Sequence, residues 1–158
     1  MKNIVIGVLV VTVLVTVGFM AKGSGNSEQQ SIAESNNITV TLHKSPTCGC
    51  CGTYGKYLED LGYEVTVNET ENMSDIKKEL SVPYELESCH TSEVAGYVVE
   101  GHVPAEAIAK LLEEKPDIKG IGMSGMPSGS PGMPGPKEDF NIYTINKDGS
   151  KGDLFVTL

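Results

Sequence analysis

Tryptophan is absent from this chain of 158 residues, and aromatic side chains make up only 6% of it. There is little from which to build a surface that stacks bases or sugars. Positive charge is also short: 12 Lys and Arg stand against 21 Asp and Glu, a formal net charge of −9. Nucleic-acid binding draws on clustered Lys and Arg to meet the phosphate backbone, so no nucleic-acid partner is expected. The acidic balance serves solubility and is compatible with cationic partners, metal ions included. Long internal repeats are absent.

Charge is missing altogether from Ile4 to Met20, a run rich in Val, Ile and Leu behind Met1-Lys2-Asn3. Lys22 and the polar stretch "GSGNSEQQSIAESNN" follow it. A basic start, an apolar run and a polar exit describe an export signal or a single membrane anchor, and the run is about long enough to cross a tilted bilayer. A buried core helix is the poorer reading, since the run has no polar face. The cleavage site is poor, since Phe19-Met20-Ala21 has a bulky residue where a small one is wanted, and no cysteine follows that could take a lipid. Residues 1–22 are therefore expected to be a signal peptide or an N-terminal membrane anchor, residues 23–37 a polar spacer, and residues 38–158 one domain working outside the cytosol. That places it in the periplasm or on the outer face of the cytoplasmic membrane, where disulfides persist. Its size is ordinary for a domain and sufficient for one core without staples.

What the chain does have is thiols packed together. Residues 45–52 read "SPTCGCCG", placing Cys48, Cys50 and Cys51 within one short stretch. The β-branched segment Ile38 to His43 ahead of them reads as a strand. From Thr53 to Leu61, Tyr54, Tyr57, Leu58 and Leu61 recur at helical spacing, with Gly62 as the stop. Tyr63 to Val67 alternates as a second strand, and Ser74 can cap a helix from Asp75 to Leu80. Tyr97-Val98-Val99 is a third strand, and Pro104 opens a helix over Ala105 to Leu112. Phe140–Ile145 and Leu154–Val156 flank a turn at Asp148-Gly149, as a hairpin would. This order predicts a small α/β layer fold.

A cysteine pair between a first strand and its helix is the thioredoxin-like arrangement. The helix N-terminus stabilises a thiolate there. Cys48 and Cys51 make a C-x-x-C pair, with Cys48 as attacker and Cys51 as resolver. Cys50 is surplus to that chemistry, because a third adjacent thiol competes for the mixed disulfide. A soft-metal site gains from it: thiolates suit Cu(I) and also Zn. A structural zinc site is the weaker version, since Zn favours spaced ligand pairs around a tetrahedron. The fourth cysteine, Cys89, is followed by His90 in "ESCHTSEVAG". In a parallel sheet, the loop ahead of the third strand would approach the first helix and bring both residues to the cluster. A structural disulfide is the alternative for Cys89, and a surface loop histidine for His90. As a ligand, His90 would release metal once pH falls below a pKa of roughly 6–7. His102 in "EGHVP" and His43, late in the first strand, are further candidates.

The motifs "KSPTCGCCG", "SCHTSEVAGYVVEGHVP" and "GMPSGSPGM", in this order, resemble the exported CopG-type copper-resistance family, domain of unknown function 411. The resemblance runs over residues 38–157. It implies a thioredoxin-like fold and copper bound by Cys48, Cys50, Cys51, Cys89 and His90, with His102 on the matching "EGHVP"; the soft thiolates favour Cu(I), as one ion or a small multinuclear cluster. It also implies a role in copper handling, with copper-coupled oxidoreductase activity as a further expectation. Two departures stand out. His43 occupies a position where the family more often shows an aromatic residue, and no thioredoxin-type proline directly precedes the third strand.

The segment "GIGMSGMPSGSPGMPGP" carries Met123, Met126 and Met133 in a stretch read as loop. Thioethers bind Cu(I) under oxidising conditions; a flexible linker is the plain alternative. Two function classes follow. One is an exported copper-binding protein, exchanging copper ions with another exported carrier or an efflux component. The other is a thiol–disulfide oxidoreductase using Cys48 and Cys51, with metal incidental. The membrane would be a partner only through an uncleaved leader.

Overall fold

The computed structural model describes residues 38–158. The leader and spacer assigned above lie outside the described residues. Among the described residues no helix is long and apolar enough to cross a membrane.

The chain runs β1 (Thr39–Lys44), α1 (Gly49–Asp60), β2 (Glu64–Glu69), α2 (Met73–Glu79), β3 (His90–Val94), β4 (Tyr97–Glu100), α3 (Ala105–Glu114), β5 (Gly120–Gly122), β6 (Asn141–Ile145) and β7 (Lys151–Thr157). A single 3₁₀ turn, Tyr84–Leu86, precedes β3. The strands form one mixed sheet in the order β2-β1-β3-β4-β5-β6-β7. Strand β1 is parallel to β2 and antiparallel to β3, which is antiparallel to β4. That is the thioredoxin-like half. Strand β5 then adds parallel to β4, and the β6–β7 hairpin extends the sheet. The α/β class expected from the sequence is the class found.

Two expectations need correcting. The third strand of the sequence reading is two strands: "HTSEV" forms β3, and Tyr97–Glu100 forms β4. Ala95 and Gly96 turn between them, both at positive φ (49° and 88°), as a two-residue hairpin loop requires. His90 therefore opens a strand and does not sit in a loop. The pairing of that strand is also antiparallel to β1, where a parallel one was expected. The correction explains how the motifs meet. Lys44 at the end of β1 pairs with His90 at the start of β3, and Thr91 pairs with Glu100 at the end of β4. The cysteine loop after β1, Cys89 before β3 and His102 after β4 thus gather at one edge of the sheet.

Packing fixes that edge. Strand side chains alternate between faces, so Val99 joins the large core while its neighbour Val98 joins a smaller one with Val82, Leu86 and Ile145. Helix α1 contributes Tyr54 and Leu58 to the large core, and α3 contributes Ile108 and Leu111. Each of these four is fully buried, a burial that stabilises by about 1.5–3 kcal/mol per side chain. Helix α3 begins after Pro104, as read from the sequence, and ends at Lys115 in the left-handed region (φ 47°).

Candidate metal centre

Cys48 is the N-cap of α1, and Cys50 and Cys51 lie in its first turn. Cys48 and Cys51 are joined by a disulfide; Cys50 and Cys89 are free. The Cys50 sulfur is 3.5 Å from that of Cys48. Cys51 is fully buried, and its sulfur stands 3.9 Å from the Cys89 carbonyl oxygen. The four sulfur atoms all lie within 4.8 Å of one another. A second group shares Cys89: its sulfur is 3.4 Å from His90 Nδ1 and 3.1 Å from His102 Nε2.

The imidazoles are set by their surroundings. His90 and His102 are completely buried, with ring centroids 4.7 Å apart. Tyr54 packs 4.6 Å from the His90 ring and donates its hydroxyl hydrogen to the Val103 carbonyl at 2.9 Å. Burial, then the His102 and Lys77 charges, pulls His90 down to about 3. That shift favours the neutral His90 ring, the form in which a histidine binds metal. Its Nε2 is buried with no hydrogen-bond partner, an atom with an unused lone pair or hydrogen. His102 lies below its ordinary value for the same main reason, burial. Its Nδ1–H donates to the Pro131 carbonyl at 2.6 Å. That bond leaves the Nε2 lone pair facing Cys89, the tautomer that a histidine ligand uses when a carbonyl orients it. Burial, reinforced by Cys50, pushes the Cys89 thiol up to about 11.

The loop that carries Pro131 is clamped over the cluster. Gly132 sits at φ +84°, and a Cβ there would stand 2.9 Å from the Cys50 carbonyl oxygen and 3.0 Å from the Tyr54 nitrogen. Only glycine fits so close an approach. The Pro131 carbonyl was not singled out in the sequence, where backbone groups carry no signal; "GSPG" was legible only as loop.

The remaining sequence candidates divide. His43 is buried on β1 with both ring nitrogens engaged, Nε2 with Glu93 at 2.8 Å and Nδ1 with Asn68 at 2.9 Å. It is not brought to the cysteines. Met123 directly follows β5 and is a core residue, 2% exposed. The expectation of loop throughout this segment is corrected here: Gly120–Gly122 is a strand. Met126 is exposed and lines the same surface groove as Cys89, and Met133 is half-buried.

Residues 86–133 match the family model described as protein of unknown function, DUF411. The chain is also similar to two solved structures of the copper resistance protein CopG. It is 36% identical to form 2, covering 77% of this chain and 98% of that one, with a TM-score of 0.71. Form 1 is 37% identical over 76% and 96%, with a TM-score of 0.70. The chain belongs to the CopG-type DUF411 family. No curated protein matches it. The family-model match spans Cys89, His90, His102 and the Pro131 loop, the half of the centre that faces the C-x-C-C turn.

Proposed function

We propose that this chain is an exported copper-binding protein that holds Cu(I) for copper handling and resistance. The observation that carries the reading is the four cysteine sulfurs within 4.8 Å of one another, with His90 and His102 grouped around one of them. Cu(I) is a soft ion that thiolate selects. Cys48, Cys50, Cys51 and Cys89 would bind it as thiolates, in a multinuclear cluster, with the two imidazoles at its edge. His90 Nδ1 and the Nε2 of the oriented His102 ring, 3.4 and 3.1 Å from the Cys89 sulfur, support the fit. Cys48 and Cys51 become ligands only after their disulfide is reduced by two electrons. The relatives' designation as copper resistance proteins supports copper as the ion.

Cys50 gives the cleanest test. It stands outside the disulfide, is half-buried and lies in the first turn of α1. Cys50→Ser should leave the fold and the Cys48–Cys51 pair intact while weakening Cu(I) binding by about tenfold or more, the loss typical even of outer groups at metal sites. Anaerobic titration of the reduced protein with elemental analysis measures it. Unchanged copper content in that variant would remove the cluster reading.

The Cys48–Cys51 disulfide at a helix N-terminus favours a second reading, a thiol–disulfide oxidoreductase in which Cys48 attacks and Cys51 resolves. Insulin reduction that survives Cys50→Ser, in protein that takes up no metal, would select it. The copper reading and the oxidoreductase reading share a compartment. Residues 38–158 are proposed to work in the periplasm or on the outer membrane face, exchanging copper with another exported carrier or an efflux component. A membrane-impermeant thiol label should reach the reduced cysteines in intact cells or spheroplasts; labelling only after lysis would mean a cytosolic domain.

A further inference from the structure

The cluster is sealed on one side and open on another. His90, His102 and Cys51 have no exposed surface, and the Pro131–Gly132 loop lies across them. Cys89 is only half-buried and forms part of the wall of a surface groove of about 660 Å³. Tyr84, Glu85, Glu87 and Met126 stand around the same groove. Tyr84 and Met126 are 84% and 51% exposed, two of the four large apolar side chains left open to solvent among the described residues. The two walls are tied together, since the Ser88 hydroxyl, next to Cys89, donates to the carbonyl of Gly125, next to Met126.

Resting on the copper reading, we propose that this groove is the port through which Cu(I) reaches and leaves the cysteine cluster, with the Met126 thioether as the outer ligand. The chemistry of its parts fits an ion in transit. A thioether is a soft, uncharged and weak donor. It competes for Cu(I) but cedes it readily to a thiolate. Glu85 and Glu87 lie too hard in ligand type to hold Cu(I), yet their charge raises the local concentration of a cation. Transfer inward breaks the copper–thioether bond and forms a copper–sulfur bond to Cys89, whose thiol proton leaves to water; copper keeps its oxidation state. Outward transfer is the reverse, with Tyr84 and Met126 as the surface a carrier would touch.

The test uses the full reduced chain under anaerobic conditions, with Cu(I) supplied as its bicinchoninate complex. Met126→Leu conserves bulk and removes only the sulfur. It is expected to slow loading by about tenfold, on the scale of outer-group effects at metal sites, with the final copper per chain unchanged. Equal loading rates for variant and wild type would overturn the port. As a second measurement, substoichiometric Ag(I), a diamagnetic stand-in for Cu(I), should shift the Met126 methyl resonance in methionine-labelled protein carrying Cys50→Ser and Cys89→Ser with the Cys48–Cys51 disulfide left oxidised, so that no free thiol competes. A methyl resonance that stays in place would also overturn it. The failure of the underlying reading looks different: the wild type itself would then take up no Cu(I) from the chelator.

Discussion

Serine at position 89 is expected to remove most of the Cu(I) that the reduced chain retains, and alanine at position 90 to remove less. Cys89 is the one residue common to both groups of candidate ligands, the four sulfurs and the Cys89–His90–His102 set. Its loss therefore divides the site, where loss of His90 trims the edge. Thiolate is also the softer donor for Cu(I). The thiol is held protonated by burial, up to about 11, and a bound cation supplies what is needed to remove that proton, as metal binding to thiols generally does. Proton release on copper binding should accordingly drop in Cys89→Ser and persist in His90→Ala. Competition against a Cu(I) chelator reads the affinity, with a loss of about 10–100-fold as the lower bound set by outer-group substitutions. A serine variant that binds as tightly as wild type, or an alanine variant that loses more, would contradict this assignment.

The sequence disclosed the C-x-C-C turn because three thiols in four positions are rare and the strand and helix around them are periodic. Gly62 and Pro104 marked helix ends for local reasons that nothing in the tertiary fold overrode. Strand β3 escaped notice because its composition is polar. His90, Thr91 and Ser92 are fully buried, and Ser92 Oγ has no hydrogen-bond partner. Burial on a central strand came from its neighbours β1 and β4, which no local pattern in "HTSEV" announces. Strand β5 escaped for the opposite reason: "GIG" has too few side chains to show alternation. Missing β3 reversed the expected sheet direction, although Cys89 was still assigned to the cysteine edge. The antiparallel pairing of Lys44 with His90 brings it there. The methionines could not be sorted by sequence, since Met123 in the core and Met126 at the surface both follow β5 in the same Gly- and Pro-rich stretch.

Glu100→Ala is expected to cost about 3–5 kcal/mol of folding stability, the range seen when one partner of a buried ion pair is removed. Against the 5–15 kcal/mol typical of a domain, that is a large fraction. Glu100 is fully buried and Lys77 nearly so, and the two are paired side chain to side chain. The same carboxylate accepts the Thr91 hydroxyl at 2.5 Å and the Ser88 backbone N–H at 2.6 Å. Alanine would strand a cation, a hydroxyl and an amide at once. Lys77→Met with Glu100→Gln should be milder, because it deletes the cation and keeps an oxygen for Ser88. Urea midpoints at unchanged slope compare them. The network also bears on the site: Ser88 precedes Cys89, so the bond from its amide holds the turn that aims the thiol. Cys89 should then react faster with a thiol reagent in Glu100→Ala than in the double variant, even under conditions where both are folded. Equal urea midpoints for wild type and Glu100→Ala would mean that solvent reaches Lys77 and that the carboxylate does not hold this turn.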